Sequence, residues 1–426
     1  MVRIGVFSDT HLGCTVGNVR PNIYYEIGKI RLSPIEYDFT KSFNEIIDIF
    51  CEEKKDLDLI IHAGDLFHYP YKGTNIPLSE AARVIAGRGF KKLNELGIPI
   101  VIIDGNHGIF NRRRISTLRQ LEVFENVRIF TFWRDLMSCI RNSKSMVFEN
   151  EEFVVHGFPF ADPEFLELLS PNLSEIYNKW INQYELNFLK HTQKINIGLI
   201  HGMEIDKSFP RNLNKDAFDV FVAGHDHIFK EKGKLIVPGS TEKWRFDALK
   251  IPEDKKNRFF HFVNAEKDKN PVFDPVKIST RNMFVESINV DLNDNHTEIL
   301  NQIENKLIEL KLNEKFDEKT ASRIKIFLTG KIGLSTWSKL SPELNLLTQN
   351  VLSSKNFNVL QFKIEKNMDY QDERDVSVPG SKKIEYLIEN PETEFLEFLK
   401  VLEIKDYDTK LLAKLFGEII NDMGEI

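Results

Sequence analysis

The chain has 426 residues, of which 42% are hydrophobic, and 57 basic against 64 acidic side chains give a formal net charge of −7. This length predicts two or three domains with at least one large core, which excludes a disordered tail or a small disulfide-stapled scaffold. The mild acidic excess disfavours a protein that binds nucleic acid over its whole surface, but it is compatible with a local basic strip.

The N-terminal sequence, MVRIGVFSDTHLG, enters a strand-like run without a charged leader or a cleavage site. Nowhere does an apolar stretch approach the ~18 residues that a membrane span requires. The three cysteines, Cys14, Cys51 and Cys139, form no CxxC pair, which favours a reducing compartment. We therefore expect a soluble cytoplasmic protein without membrane association, near the nucleoid if the source is prokaryotic.

Short apolar runs alternate with amphipathic segments over residues 1–275. The runs predict buried strands at Ile4–Phe7, Leu57–His62, Ile98–Ile103, Phe153–His156, Ile195–His201, Phe218–Ala223 and Leu235–Val237. Helical spacing of apolar residues predicts helices between several of them, including one around Leu118, Leu121 and Phe124. This interleaving predicts a layered α/β domain over residues 1–275.

The pattern changes beyond residue 275. Residues 276–366 predict a smaller α/β domain with strands at Phe284–Val290, Arg323–Leu328 and Asn358–Ile364 and helices at Thr297–Leu312 and Pro342–Leu352. Residues 367–384 are polar and predict a linker. Residues 385–426 predict two short amphipathic helices, which either pack on their own domain or lay an apolar face on a partner.

Polar side chains cluster where five predicted strands end. They are Asp9 and His11, Asp65, Asn106 and His107, His201, and His225 and His227. Ligand sites of open α/β sheets lie beyond the carboxyl ends of strands, so we expect these segments to converge. A lone histidine in such a chain is more often structural, but four glycine-bounded signals recurring in order at strand ends favour a common site.

Two carboxylates, one carboxamide and four imidazoles, without thiolate, suit Mn, Fe, Zn or a similar divalent cation better than Ca. Seven ligands exceed the needs of one tetrahedral ion. They suit two ions that share a bridging carboxylate, a pair that activates water and clamps the attacking and leaving oxygens at phosphorus. The sequence therefore predicts a phosphoesterase centre that needs no nucleophilic side chain.

The motifs occur in the order DTH (9–11), GDLFH (64–68), GNH (105–107), HG (201–202) and GHDH (224–227). This series resembles the calcineurin-like metallophosphoesterase superfamily. GDLFH and the downstream VPGSTE (237–242) resemble its SbcD-type, or meiotic-recombination-eleven, nucleases, which process DNA double-strand breaks. The resemblance implies a layered α/β metallophosphoesterase sandwich, a smaller α/β DNA-binding capping domain and a C-terminal helical pair.

Carried over residue by residue, the resemblance implies two divalent ions, with Mn²⁺ the expected metal. One ion would be held by Asp9, His11, Asp65 and His227, and the other by Asp65, Asn106, His201 and His225. His107 would be the catalytic histidine, and His68 would help to place the substrate phosphate. The family usually carries an acidic residue after the GNH triplet, whereas this chain has Gly108, so His107 needs another partner to fix its orientation.

DNA contacts require cations near the metal edge. Candidates are Arg112, Arg113, Arg114, Lys243 and Arg245. A solvated helix start explains the arginine cluster equally well. No helix-turn-helix, zinc-finger or RNA-binding aromatic signature occurs, so we expect recognition of shape and phosphate with little base readout.

The leading hypothesis is a dinuclear DNA nuclease for double-strand breaks, the hydrolase subunit of a complex with an SbcC-type coiled-coil ATPase bound through residues 385–426. The resemblance implies 3′-5′ exonuclease activity on duplex ends, endonuclease activity on single strands and hairpins, and a homodimer. One alternative is a phosphoesterase for small phosphodiesters or phosphoproteins. Another is a scaffold with a decayed nuclease site, suggested only by Gly108.

Overall fold

The computed structural model describes residues 1–15, 17–69, 78–109, 114–189, 193–203, 207–243, 246 and 257–371. The chain divides into two compact units, Met1–Tyr370 and Gln371–Ile426. Apart from Gln371, the second unit lies outside the described residues. The predicted helical pair within residues 385–426 falls in that part of the chain and stays a prediction.

The described residues form strands and helices in a mostly alternating order. The strands are β1 (Val2–Phe7), β2 (Tyr25–Ile27), β3 (Ile30–Leu32), β4 (Leu59–His62), β5 (Ile100–Ile103), β6 (Val127–Phe130), β7 (Val147–Glu149), β8 (Phe153–Phe158), β9 (Ile195–His201), β10 (Val220–Gly224), β11 (Lys230–Lys232), β12 (Leu235–Val237), β13 (Arg258–Ala265), β14 (Val272–Ile278), β15 (Met283–Val290), β16 (Ser322–Gly333) and β17 (Val359–Gln371). The α-helices are α1 (Pro34–Glu52), α2 (Glu80–Asn94), α3 (Asn106–Ile109), α4 (Met137–Asn142), α5 (Pro163–Leu169), α6 (Leu173–Phe188), α7 (His296–Glu309) and α8 (Leu334–Ser353).

The first sheet has the order β14-β13-β1-β4-β5-β6. Strands β1, β4, β5 and β6 are parallel, whereas β13 pairs antiparallel with β1 and β14 pairs antiparallel with β13. Strands β4 and β5 are buried at every position because both faces of the sheet are covered there. Ile61 packs into the layer against the second sheet, while Ile60 packs on the opposite face with Phe43 of α1 and Phe90 of α2.

The second sheet has the order β11-β12-β10-β9-β8-β7, with parallel strands in the middle and antiparallel strands at both edges. Its Ile197 and Val222 belong to the same apolar cluster as Ile61 of the first sheet and Trp180 of α6. Two facing sheets with helices outside are the layered α/β sandwich that the sequence predicts, so that prediction is confirmed.

A third sheet, β15-β16-β17, belongs to the smaller α/β part of the chain. Strands β15 and β16 are parallel and are connected through α7. Its own core joins Ile303 of α7, Ile326 of β16 and Leu344 of α8. The predicted domain boundary between residues 275 and 276 stays a prediction, because this sheet belongs to the same compact unit, Met1–Tyr370, as the first two.

Buried charges join the third sheet to the rest of the unit. Arg281, just before β15, donates from Nε and Nη2 to both carboxylate oxygens of Asp38 in α1, at 2.7 and 2.8 Å. Arg323 of β16 donates to the carbonyl oxygen of Lys243 and, at 2.8 Å, to Oε1 of Gln361. These side chains are almost fully buried, so the junction is held by specific polar contacts.

Two predictions about this part of the chain require correction. The linker does not begin at residue 367, because β17 continues to Gln371. Met368 is buried and Tyr370 packs edge-on against Trp337 of α8. Because β17 is an edge strand with many polar outward side chains, its alternation of apolar and polar residues is hard to recognise in the sequence. The helix predicted from Pro342 begins at Leu334 and carries Pro342 inside it.

The segment around Leu118 and Leu121 also differs from the prediction. It forms a 3₁₀-helix, Thr117–Val123, in place of an α-helix. Both leucines are buried within their own chain against the α1 and α2 side of the first sheet. They are therefore core residues. Among the described residues, no helix combines the length and the apolar character needed to cross a membrane.

Candidate metal centre

The five predicted polar segments meet at one place, because each follows a strand whose carboxyl end lies at the same edge. Asp9 and His11 follow β1, Asp65 follows β4, and α3 begins with Asn106 after β5. His201 ends β9, and His225 and His227 follow β10. The first three segments belong to the first sheet and the last two to the second, so the site lies where the two sheets meet.

One group of donor atoms comes from Asp9, His11 and His227, whose ligand atoms all lie within 4.8 Å of one another. Nε2 of His11 is 3.1 Å from Nε2 of His227. Oδ1 of Asp9 is 3.9 Å from the first of these nitrogens and 3.7 Å from the second. Two imidazole nitrogens and one carboxylate oxygen thus face a common point.

A second group comes from Asp65, His201 and His225, whose ligand atoms also lie within 4.8 Å of one another. Oδ2 of Asp65 is 3.4 Å from Nε2 of His201, and Oδ1 of Asn106 is 3.2 Å from that nitrogen. Nδ1 of His201 is 2.7 Å from the carbonyl oxygen of Ala63, so it carries the proton and leaves Nε2 to face the site.

Asp65 lies between the two groups. Its Oδ2 is 3.4 Å from Nε2 of His201 in one group and 4.0 Å from Nε2 of His11 in the other. Its Oδ1 accepts a hydrogen bond from the backbone N–H of His107 at 3.0 Å, which fixes the carboxylate plane. This placement is the one that a carboxylate shared by two cations requires.

An unsatisfied buried oxygen indicates that the donor set fits divalent cations. Oδ1 of Asp9 is buried and has no hydrogen-bond partner among the described residues. Its other oxygen accepts from the Ser8 hydroxyl at 2.5 Å and from the His225 backbone N–H at 3.1 Å. A buried carboxylate oxygen without a partner is costly, and a cation among these imidazoles would satisfy it.

The electrostatics of the site reflect its dense charge. Burial raises the pKa of Asp9 to about 6, although His201 opposes that rise. Burial also disfavours the charged form of Asp65, but His201 and His107 outweigh it and hold the pKa of Asp65 well below its usual range. Burial lowers the pKa of His201, yet the attraction of Asp65 dominates and raises this pKa to about 9.

The backbone is strained at the same residues. Asp9, His11, Asp65 and His225 have φ values of +49°, +41°, +52° and +85°. Such conformations cost of order 1–3 kcal/mol each and persist where surrounding structure imposes them. Gly64 is required here because a Cβ at its position would lie 2.1 Å from Nδ1 of His201.

His107 has the partner that Gly108 does not supply. Nδ1 of His107 lies 2.8 Å from the backbone carbonyl oxygen of Tyr69. A carbonyl oxygen only accepts hydrogen bonds, so Nδ1 carries a proton and Nε2 is the nitrogen that exchanges one. Nε2 lies 4.0 Å from Oδ2 of Asp65, facing the site. Sequence reasoning missed this contact, since no side-chain pattern marks a backbone acceptor.

His68 also lies at the site. Its Nδ1 is 3.3 Å from Nδ1 of His11, and its ring centre is 4.7 Å from that of His107. The three histidines form a further group whose nitrogens lie within 4.8 Å of one another. His68 therefore contacts a predicted metal ligand as well as the predicted catalytic histidine.

The predicted DNA contacts have different outcomes. Arg112, Arg113 and Arg245 lie outside the described residues. Arg114 is exposed, with its guanidinium 5.2 Å from the ring centre of Trp133. The ammonium of Lys243 donates to the carbonyl oxygen of Arg281 at 3.4 Å. The role of all five side chains in DNA binding stays a prediction.

Residues 2–229 match the family of calcineurin-like phosphoesterases. The chain belongs to this family and is a metal-dependent phosphoesterase, as the sequence motifs predict. It is also similar to proteins named DNA double-strand break repair protein Mre11 from three organisms. The relative from Sulfurisphaera tokodaii is 24% identical over 437 residues, covering 96% of each chain. Those from Saccharolobus solfataricus and Methanococcus maripaludis are 25% and 29% identical over 68% and 45% of this chain, and over 67% and 46% of their own lengths.

Proposed function

We propose that the chain is a metal-dependent DNA nuclease that processes double-strand breaks. The observation that carries the proposal is the convergence of two carboxylates, an amide and four imidazoles where the two sheets meet. Similarity along 96% of the chain to a protein named for double-strand break repair supports DNA as the substrate.

We assign Asp9, His11 and His227 to one cation and Asn106, His201 and His225 to the other, with Asp65 shared between them. Mn²⁺ is the metal that the motif resemblance implies, and the donor set, which mixes oxygen and nitrogen without thiolate, suits it among similar divalent cations. When bound, two such cations activate water and neutralise charge that develops at phosphorus. Asp65 is held for its shared role by the His107 backbone N–H.

His107 is the acid–base residue of the proposed reaction. Its Nδ1–H is held by the Tyr69 carbonyl, so the ring presents Nε2 to the site in both protonation states. From there it protonates the leaving oxygen of the cleaved phosphodiester. His68, beside it, helps to place the substrate phosphate. The Tyr69 contact supplies the orientation that would otherwise be missing beside Gly108, which argues against a decayed site.

DNA would be held through its backbone phosphates by the exposed Arg114 together with Arg112, Arg113, Lys243 and Arg245. We expect 3′-5′ exonuclease activity on duplex ends and endonuclease activity on single strands and hairpins. We further propose a homodimer and docking of an SbcC-type coiled-coil ATPase on residues 385–426. These finer properties rest on the motif resemblance.

The decisive experiment compares cleavage of end-labelled duplex and hairpin DNA by the wild type and by the His107→Ala variant, each with Mn²⁺, Mg²⁺ or Zn²⁺. We expect Mn²⁺-dependent cleavage by the wild type and a loss of about 100-fold or more in the variant. His296→Ala is the matched control, since this histidine begins α7 in the smaller α/β part. It should cleave like the wild type.

Other outcomes would favour the alternatives. Hydrolysis of bis(p-nitrophenyl) phosphate with no cleavage of any DNA would favour a small-phosphodiester enzyme. Bound Mn²⁺ without hydrolysis of either substrate would favour a scaffold or an enzyme that depends on its partner. Removal of residues 385–426 should abolish binding of the ATPase and spare Mn²⁺-dependent hydrolysis. Retained co-purification with the ATPase would refute the docking role.

A further inference from the structure

Gly108 faces a carboxylate that comes from four residues earlier in the chain. A Cβ at position 108 would lie 2.8 Å from Oδ1 of Asp104, which is closer than real side chains approach. Asp104 is 1% exposed, so it cannot turn into solvent to make room. The space that a side chain at position 108 would need is therefore already filled by Asp104.

The Asp104 carboxylate is fixed from two sides. Oδ1 accepts a hydrogen bond from the Ser116 hydroxyl at 2.5 Å, and Oδ2 accepts one from the backbone N–H of Phe132 at 3.0 Å. Its own backbone N–H donates to Phe130, and its carbonyl accepts from Phe160. Any displacement would leave buried donors without their acceptor, which costs about 1–3 kcal/mol per group.

The turn above this carboxylate carries two proposed functional residues. The backbone N–H of Gly108 donates to the carbonyl oxygen of Gly105 at 3.0 Å and closes the turn that contains Asn106 and His107. From this turn Asn106 reaches His201, and the His107 backbone reaches Asp65. A shift of the turn would move both residues relative to the site.

We propose that Asp104 is a positioning residue for Asn106 and His107, and that it forms an exchangeable pair with position 108. The carboxylate packs beneath the turn and fixes its height, and residue 108 is glycine because residue 104 is aspartate. The inference rests on the roles proposed above for Asn106 and His107. Its specific content is that the space beneath the turn holds one side chain of this size, from either position but not from both.

The test is a double-mutant cycle on the full chain, with bis(p-nitrophenyl) phosphate and Mn²⁺. Gly108→Asp alone should lower kcat by about 100-fold, because it forces two carboxylates together and displaces the turn. Asp104→Ala alone should lower kcat by about tenfold, since the turn loses its support. The Asp104→Ala/Gly108→Asp variant should exceed both single variants in kcat, because the carboxylate introduced at position 108 then occupies the vacated space.

The Asp104→Asn variant tests whether the volume of the side chain at position 104 is what excludes a side chain at position 108. Asparagine has the size of aspartate, so Gly108→Asp should not be rescued in the Asp104→Asn background. The single variants should lose both kcat and Mn²⁺ affinity, while KM changes by no more than about twofold. Mn²⁺ affinity is measured from the electron paramagnetic resonance signal of free Mn²⁺. Changes confined to the melting temperature would overturn the positioning role.

Gly87→Asp is the matched control, because a Cβ on this glycine of α2 meets nothing within 4 Å. It should retain wild-type kcat. Independent effects of the two substitutions on kcat, multiplying in the double variant, would overturn the proposal. If Gly108→Asp does not fold, the double variant must fold, and its failure would overturn the proposal as well. Hydrolysis of bis(p-nitrophenyl) phosphate without DNA cleavage would refute only the nuclease proposal. The double-mutant cycle could still be measured with that substrate.

Discussion

Replacing Asp9 by asparagine should make the metal-free protein more stable while abolishing its metal binding. Asp9 is fully buried with Oδ1 lacking a hydrogen-bond partner among the described residues, and burial raises its pKa from 3.8 to about 6. A carboxyl group that is harder to ionise in the folded state costs stability as the pH rises through this range. The cost is complete above about pH 6, and a shift of about two pKa units corresponds to about 3 kcal/mol.

Asparagine fits this environment better than a carboxylate when no cation is bound. Its oxygen can accept the hydrogen bonds from Ser8 and from the His225 backbone. Its amide nitrogen then takes the place of Oδ1, 3.7 Å from Nε2 of His227 and 3.9 Å from Nε2 of His11. We therefore expect the free energy of unfolding to rise by about 2 kcal/mol at about pH 8.

Asp65→Asn is the matched control, and it should lower the free energy of unfolding of the metal-free protein. His201 and His107 overcome the effect of burial and hold the pKa of Asp65 well below its usual range, so its negative charge stabilises the metal-free fold. Without that charge, His201, whose pKa the carboxylate raises to about 9, loses its ionic partner. Both variants should lose Mn²⁺ binding, but only Asp65→Asn should unfold more easily.

The measurement is urea unfolding followed by circular dichroism, in EDTA and again in Mn²⁺. The wild type should gain stability from Mn²⁺, about 2.7 kcal/mol at a hundredfold excess over Kd, and neither variant should do so. A metal-free Asp9→Asn protein less stable than the wild type would refute the reasoning. So would a change of the same sign in both variants.

Three further substitutions test the junction and the backbone. Arg281→Ala should lower the free energy of unfolding by about 3–5 kcal/mol in urea, because it leaves the buried Asp38 carboxylate uncompensated; a loss below about 1 kcal/mol would contradict this. Burial raises the pKa of Glu242 from 4.5 to about 7, so the contribution of this group to the stability of the wild type should fall as the pH rises through that interval. The stability of Glu242→Gln relative to the wild type should therefore increase over this interval, and an unchanged pH profile would exclude the contribution of this group. Gly64→Ala should lower the melting temperature and Mn²⁺ affinity together, since its Cβ would collide with an imidazole of the site; Gly87→Ala in α2 should lower neither.

The strands that carry the site could be predicted because their sequence signal is local. Runs such as Ile98–Ile103 are apolar at every position, since both faces of the first sheet are covered. Strands β13 and β14 were missed, because β13 pairs with β1 from more than 250 residues away and the side chains of both strands are partly polar. The edge strand β17 was cut short because its outward side chains beyond Ile364 are polar.

The convergence of the seven predicted ligands was equally predictable, whereas the contacts that orient them were not. Strand ends point to one edge whatever lies between them, so the positions of Asp9 and His201 follow from topology. The partner of His107 is a backbone carbonyl at Tyr69, 38 residues away, and only the three-dimensional fold determines which carbonyl that is. The contact of Gly108 with Asp104 likewise requires the fold of the turn.

The division of the site between two sheets links metal binding to folding. Each donor group draws on both sheets: Asp9 and His11 meet His227 in one, and Asp65 meets His201 and His225 in the other. Neither sheet alone supplies a complete group, so the spacing of the donors is set by the apolar layer between the sheets. Four of these residues have left-handed backbone conformations, which persist only where the surrounding structure imposes them. Cations held by both groups would therefore tie the two sheets together, and stabilisation by metal and catalytic competence would depend on the same interface.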